Sequence, residues 1–350
     1  MADMIAPFLD AIVGAKQLGL QMAKATTNKS VNDFDATSAK LQSARNALND
    51  IVFGQNDVIE LAMIAILAGG HALIVGAPGL AKTKLATSLG TVLGLAEKRV
   101  QFTPDLMPAD ILGSEVLDEV NGKRAFRFVP GPVFCQLLMA DEINRASPRT
   151  QSALLQSMQE HHVTIAGERH DLPQPFHVLA TQNPIEQEGT YPLPEAQLDR
   201  FLVQVDISYP PLDAERRMLF ATTGNEEIQP SGVLTTEDLL NAQHLARNVP
   251  VGEQVTDAIL KVVRAARPGA GASKMINDNV AWGPSPRAAQ ALMLCSKARA
   301  LLQGRLSPSI EDVIALLDPV FKHRMALNFA ARADGVTINE IVAHLAESLA

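Results

Sequence analysis

The run Gly76-Ala77-Pro78-Gly79-Leu80-Ala81-Lys82-Thr83 carries the residue types needed to hold a polyphosphate. An apolar stretch, residues 72–75, precedes it, and a helix-like pattern over 84–93 follows. Strand, glycine turn and helix together bring backbone N–H groups and the positive end of a helix onto one anion. In such an arrangement Lys82 reaches the β- and γ-phosphates and Thr83 offers its hydroxyl to Mg²⁺. The generic pattern has Gly directly before Lys, and here Ala81 stands in that place. Taken alone, the stretch also reads as an ordinary strand–turn–helix corner.

A second chemical feature weighs against the corner. The apolar run 137–140 ends in Asp141-Glu142, about 60 residues downstream. In a nucleotide hydrolase, Asp141 would help hold Mg²⁺ opposite Thr83, and Glu142 would orient and polarise the attacking water. Asn183 ends the next apolar run, 177–181, where its amide could position the same water; Asn-Pro is also common turn chemistry. Leu198-Asp199-Arg200-Phe201 sets an arginine before another strand-like run. Such an arginine can reach a neighbour's γ-phosphate or pair with Asp199 or Glu195 at the surface. Arg287, in Pro284-Ser285-Pro286-Arg287, opens a helix and could touch the phosphate from the lid side or remain solvated.

The elements that must position these residues follow from periodicity. Residues 1–50 read as helical, with Ile5, Leu9, Ile12 and Val13, then Leu41, Ala44, Leu48 and Ile51, near helical spacing. A helix over 57–68 closes at Gly69-Gly70. Strands are predicted at 99–103, 137–140, 177–181 and 201–205, a short helix at 108–112, and a helix capped by Ser147-Pro148 running to Glu160. Asn121-Gly122 and Ala166-Gly167 sit between strand-like runs and predict two hairpins. Beyond Pro210-Pro211 the pattern is helical at 212–222, 235–247, 254–267, 286–303, 308–330 and 337–348, with a loop over 268–285. Alternation up to about 225 implies βαβ units and a parallel sheet.

Bulk properties exclude some classes. At 350 residues and 47% hydrophobic the chain can bury a sizeable core. A net charge of −8 and 4% aromatics speak against a duplex-binding surface and base stacking, and nucleic acid is not expected as a partner. Cys135 and Cys295 lie 160 residues apart, which fits neither a metal-ligand spacing nor a disulfide framework, and suits a reducing compartment. The N-terminus lacks a basic n-region, and no uncharged apolar run approaches the ~18 residues of a membrane span. A cytoplasmic protein with no membrane insertion is the expectation. His161, His162 and His170 cluster near the second hairpin without the companion ligands of a metal site. Lys123, Arg124 and Arg127 make a small basic spot on the first.

These motifs together resemble the MoxR family of AAA+ ATPases, from about residue 52 to 349. That family's phosphate loop is typically GxPGxAKT, so Ala81 agrees with it. The segment Ile51-Val52-Phe53-Gly54-Gln55 resembles the family's adenine-contacting stretch, and residues 101–111 its lead into a helix-two insert. Residues 141–146 resemble its Walker B signature, 181–184 its sensor 1, 195–201 its arginine-finger box and 285–287 its sensor 2. His323-Arg324 resembles a C-terminal HR signature.

The resemblance implies an α/β P-loop AAA+ core over 51–212, a parallel sheet flanked by helices with two hairpin inserts. A helical lid over 213–350 follows it, and an N-terminal helical extension over 1–50 precedes it. It implies ATP and Mg²⁺ as ligands. Phe53, Gly54, Gly76, Ala77, Pro78, Gly79, Leu80, Ala81, Lys82, Thr83 and Lys84 would contact ATP, and Thr83 and Asp141 the Mg²⁺. Lys82, Glu142, Asn183, Arg200 and Arg287 would carry the chemistry. It further implies a ring, a homo-hexamer, with ATP between subunits and Arg200, Arg145 or Arg149 acting on a neighbour's nucleotide. The function implied is ATP-driven remodelling of a client enzyme for maturation or cofactor insertion, with a von Willebrand A-domain partner. Competing readings are a nucleic-acid motor, a metal-chelatase ATPase subunit and a nucleotide-gated structural ring.

Overall fold

In a computed structural model the described residues are 32–120, 123–184, 189–223 and 229–349. The expected helix around Ile5–Val13, the N-terminal n-region and the Asn121-Gly122 turn lie outside them. Residues 32–51 form helix α1. There follow α2 (Asn56–Leu67), β1 (Ala72–Gly76), α3 (Lys82–Leu93), β2 (Glu97–Gln101), α4 (Pro108–Leu112), β3 (Gly113–Val120) and β4 (Lys123–Pro130). Next come β5 (Leu137–Asp141), α5 (Pro148–Glu160), β6 (His162–Ile165), β7 (Glu168–Asp171), β8 (His177–Gln182), α6 (Glu195–Leu198) and β9 (Val203–Ile207). The rest is α7 (Leu212–Thr223), α8 (Thr236–Asn248), α9 (Glu253–Ala265), α10 (Lys274–Asn279), β10 (Val280–Trp282), α11 (Pro286–Leu302), α12 (Ile310–Phe321), β11 (Ala326–Leu327), α13 (Phe329–Ala333) and α14 (Ile338–Glu347).

Five strands form one parallel sheet in the order β2-β5-β8-β1-β9. The three central strands, β5, β8 and β1, are near-continuous apolar runs because both their faces are covered, whereas the edge strand β2 is polar and mostly exposed. Alternate residues divide between two cores: Leu137 and Met139 face one, Leu138 and Ala140 the other. The first core continues through α1, α2, α3 and the helices after residue 230, so Leu41, Ala44 and Leu48 of α1 share it with Leu292 and Leu301 of α11. Burying one such side chain contributes about 1.5–3 kcal/mol, so α1 is held by the same apolar burial as the rest.

Both hairpins are present outside the sheet. β3 pairs antiparallel with β4, and β6 with β7. Between β6 and β7, Ala166 and Gly167 take φ of 50° and 89°, the mirror-image turn that a two-residue hairpin requires. Phe128 of the first hairpin stacks on His170 of the second, with ring centroids 3.9 Å apart.

Several expected boundaries move. β2 begins two residues before the predicted 99, and β9 two residues after the predicted 201, because the parallel ladders start at Glu97↔Leu137 and Ala72↔Val203. The predicted loop 268–285 contains α10, capped by Ser273 and anchored by buried Ile276, and strand β10. The predicted helix 308–330 stops at Phe321 and resumes as α13. Between them His323 and Arg324 turn inward onto the Phe201 segment, and β11 pairs with β10, so tertiary contacts override the helical pattern. No helix among the described residues is long and apolar enough to cross a membrane.

Candidate nucleotide site

The phosphate loop joins the C-terminal end of β1 to the N-terminus of α3. Ala81 caps that helix with φ 57° and ψ 21°, a left-handed conformation that explains why the generic pattern uses Gly there. Gly76 is required for another reason: a Cβ on it would lie 2.8 Å from the carbonyl oxygen of Ile207. The first turn of α3 contains no acidic residue, so nothing competes with an anion for its N–H groups. Lys82 is buried at 9% exposure, and its Nζ donates to the Gly76 carbonyl at 2.8 Å.

The loop forms one wall of a cleft of about 760 Å³, a volume typical of small-molecule sites. Pro78 to Lys84 lie along it, with Asp141 and Glu142 facing them. Its far end is apolar and aromatic: Ile51, Val52 and Phe53 on one side, Tyr209, Pro210 and Met218 on the other. That polarity gradient suits a nucleotide, with phosphates at the glycine loop and a base between the apolar walls. Gly54 stands behind this wall against Pro210 and Ala214.

Apart from Arg145, the two acids are held by groups to which motif reading gave no role. Asp141 accepts from the Thr181 hydroxyl at 2.5 Å and from the Arg99 guanidinium at 2.6 Å. Glu142, itself left-handed at φ 54°, donates its N–H to Thr181 Oγ1 at 2.9 Å. Its carboxylate accepts from Gln101 at 2.8 Å and from Arg145 at 3.0 Å. The signal for Gln101 is register: it lies beside Asp141 on the β2–β5 ladder. Asn183 is buried just past the end of β8.

The donor set fits a Mg²⁺ ion. Thr83 and Asp141 supply hard oxygen ligands, and Asp141 already turns one oxygen towards a cation, the Arg99 guanidinium, inside the cleft. Among the described residues, no cluster of three or more His, Cys, Asp or Glu forms a separate metal site. Cys135 and Cys295 are buried, and burial pushes both thiols up to about 12, which leaves them protonated.

Arg200 and Arg287 do not line this cleft. Together with Asp199, His71, Met158 and Gln159 they surround a separate pocket of about 180 Å³. That pocket lies at the N-terminal end of the sheet, since His71 directly precedes β1 and Arg200 precedes β9. Five residue steps along β1 lead from His71 to Gly76, roughly 16 Å at about 3.3 Å per step. Arg200 donates to the Leu155 carbonyl at 2.5 Å instead of forming the Asp199 or Glu195 pair that the sequence left open. Asp199 pairs with Arg324 at 2.7 Å, and Arg287 stands 3.9 Å from it. Arg149 is exposed at the start of α5, and Arg145 pairs with Glu142.

Residues 71–203 match the model of the ATPase family associated with various cellular activities (AAA), and residues 272–345 match the AAA lid domain. The chain is 39% identical over 311 residues to Chaperone MoxR1 of Mycobacterium tuberculosis, covering 89% of this chain and 82% of that one. This chain belongs to the MoxR family of AAA+ ATPases. Protein MoxR of Paracoccus denitrificans is 32% identical, with 83% of this chain and 89% of that protein covered. A solved crystal structure from Cytophaga hutchinsonii superposes with a TM-score of 0.85 at 34% identity, covering 93% of this chain and 97% of that one. A MoxR AAA+ protein has a parallel central sheet flanked by helices and a helical lid, and both are present here. Family membership also implies nucleotide binding.

Proposed function

We propose that this MoxR protein is a ring-forming ATPase, a hexamer, that uses ATP hydrolysis to remodel a client enzyme. The observation that carries this reading is the separation of its charged parts. The phosphate loop and both acids share one cleft, while Arg200 and Arg287 stand at the opposite end of the same sheet. Strand length keeps these arginines away from the cleft of their own chain, which supports the reading that they act on the nucleotide of a second subunit.

In this reading the N–H groups of the loop and Lys82 bind the β- and γ-phosphates, and the apolar walls hold adenine. Thr83 and Asp141 would hold Mg²⁺, which would supply neutralising positive charge at the phosphates. Arg99, which pairs with Asp141 in this structure, would give way to it. Glu142, released from Gln101 and Arg145, orients a water in line with the γ-phosphorus and polarises it, with Asn183 as its second support. As the water oxygen bonds to the γ-phosphorus, the bond to the ADP oxygen breaks and the water's proton leaves with the released phosphate, while the neighbour's Arg200 and Arg287 stabilise charge on the transferred group.

The family resemblance supports a von Willebrand A-domain partner and a client enzyme. The first hairpin offers contact surface: Leu117 and Phe126 face each other across the strands at 53% and 70% exposure. The test of the catalytic assignment is Glu142→Gln. ATP binding should persist while phosphate release falls to background; undiminished release would remove Glu142 from its role. The same variant held in ATP is the form with which to capture partners.

A further inference from the structure

His323-Arg324, like the arginine-finger box and sensor 2, is a sequence signature that does not line the nucleotide cleft. Arg324 is 3% exposed, and its guanidinium is spent almost entirely on the segment that carries Arg200. Its Nε donates to Asp199 Oδ1 at 2.7 Å. One terminal nitrogen donates to the Phe201 carbonyl at 2.6 Å and reaches the Asp199 carbonyl at 3.4 Å. The other donates to the carbonyls of Leu202 at 3.0 Å and Val320 at 2.8 Å. His323 lies 3.0 Å from the Phe201 carbonyl through Nε2. The backbone on both sides of Arg200 is thus fastened to the end of α12, and fully buried Phe201 anchors it further.

The second oxygen of Asp199 points to a different element. Oδ2 accepts from the Ser285 hydroxyl at 3.2 Å. Ser285 is the N-cap of α11, and its Oγ accepts from the Arg287 N–H at 3.2 Å. The Arg287 guanidinium lies 3.9 Å from the same carboxylate oxygen. One carboxylate therefore ties the start of α11 and the end of α12 to the residue preceding Arg200. Two guanidiniums, of Arg287 and Arg324, approach this carboxylate, and Arg200 lines the same pocket with its guanidinium on the Leu155 carbonyl. The net positive charge suits an anion, and His71 beside them adds none, because burial and neighbouring His177 push it down to about 3.

Resting on the reading that these arginines act on a neighbouring subunit, we propose that Asp199 is a positioning residue for them. It fixes Arg200 and Arg287 as one unit, so that both meet the γ-phosphate of the adjoining subunit's nucleotide together. Asp199 touches no nucleotide itself. Its effect is felt only in the site next door.

The test is complementation in mixed rings of the full chain. Asp199→Asn has an intact cleft but misplaced arginines; Glu142→Gln has a dead cleft and intact arginines. Asp199→Asn alone should lose about 10²-fold in turnover, the scale of a 1 Å misplacement, with ATP affinity unchanged. Mixed with Glu142→Gln it should recover at least about tenfold over either variant alone. Arg200→Ala mixed with Glu142→Gln is the control. If the control recovers and the Asp199→Asn mixture does not, Asp199 acts within its own subunit or only on folding, and the proposal fails. If the control also fails, the reading that arginines act across subunits is wrong and the proposal falls with it. Ser285→Ala, which leaves the buried ion pair whole, is carried through the same mixtures. It should show a smaller, several-fold loss that is likewise restored in trans; a loss that mixing does not restore overturns the proposal even where Asp199→Asn fails to fold.

Discussion

The two ends of the central sheet are built from opposite materials. At the C-terminal end, the phosphate loop and the Asp141-Glu142 pair face an open cleft, and two residues there, Ala81 and Glu142, hold left-handed backbone. At the N-terminal end, His71 and His177 are buried and Arg200 and Arg287 line a small pocket. The first end is a site that can bind by itself. The second presents positive charge with no partner phosphate of its own. On the proposed reading each end is half of a reaction centre, and such a sheet would suit head-to-tail assembly in which each subunit completes the next.

Removing the arginine end gives the largest effect. Arg200→Ala should lower turnover by about 10³-fold or more, the range of arginine fingers supplied in trans, while ATP affinity stays near wild type. Steady-state phosphate release and nucleotide titration separate the two. A parallel loss of affinity would mean that Arg200 serves its own cleft, and the contrast between the ends would collapse. Disabling the other end reverses the pattern. Lys82→Ala removes charge-assisted contacts to phosphate and should weaken ATP binding by about 10- to 100-fold. An unchanged dissociation constant would take the loop out of the site.

The N-terminal end can also be probed without touching an arginine. His71 accepts from the Val178 N–H through Nδ1 and contacts the Met158 carbonyl through Nε2, which fixes a neutral ring. His177 contacts the Gly70 carbonyl through Nδ1, and its Nε2 accepts from Gln243 of α8. Burial pushes His71 down to about 3 and His177 to about 4. Burial and the Arg324 charge also hold His323 well below its ordinary value. These groups bind protons more readily unfolded than folded. Their contribution is therefore complete above the unfolded value near 6.5 and is lost as pH falls towards the folded values. Between pH 6 and 5 the loss from His71 and His177 together should be about 2 kcal/mol, with His323 acting in the same direction, read from denaturant midpoints. Stability that is flat over that interval would show these rings to be accessible to protons in the folded chain.

How much of this was legible from sequence differs between the ends. The C-terminal end was readable because its chemistry is local: loop, lysine and threonine are contiguous, and the acids follow one apolar run. What escaped there arrives through the ladder. Arg99 and Gln101 gain their meaning only when β2 pairs with β5, a register that no linear spacing reveals. The N-terminal end was legible as separate letters only. The sequence offers Arg200 and Arg287 singly, and the tie of Ser285 and Arg324 to Asp199 depends on α11 and the end of α12 folding back over residues 86 to 125 positions away. The helix predicted over 308–330 failed for the same reason: the pattern is helical, and the inward turn of His323 and Arg324 is dictated by their distant partners.

Ala81 tests the contrast at its smallest scale. Its left-handed backbone carries a cost of about 1–2 kcal/mol for an L-residue. Ala81→Gly removes that cost and places a better cap before Lys82, but it also enlarges the unfolded ensemble by about 0.4–1 kcal/mol. The balance should leave the chain more stable by at most about 1 kcal/mol, with ATP affinity within about twofold, since Gly79 and the α3 N-terminus already provide the anion cradle. Denaturant midpoints and a nucleotide titration read both quantities. If stability instead drops, the Ala81 methyl has packing value that outweighs its strain. If affinity drops while stability rises, the strain is what pre-shapes the loop, and the open end of the sheet is then as dependent on stored geometry as the arginine end is on Asp199.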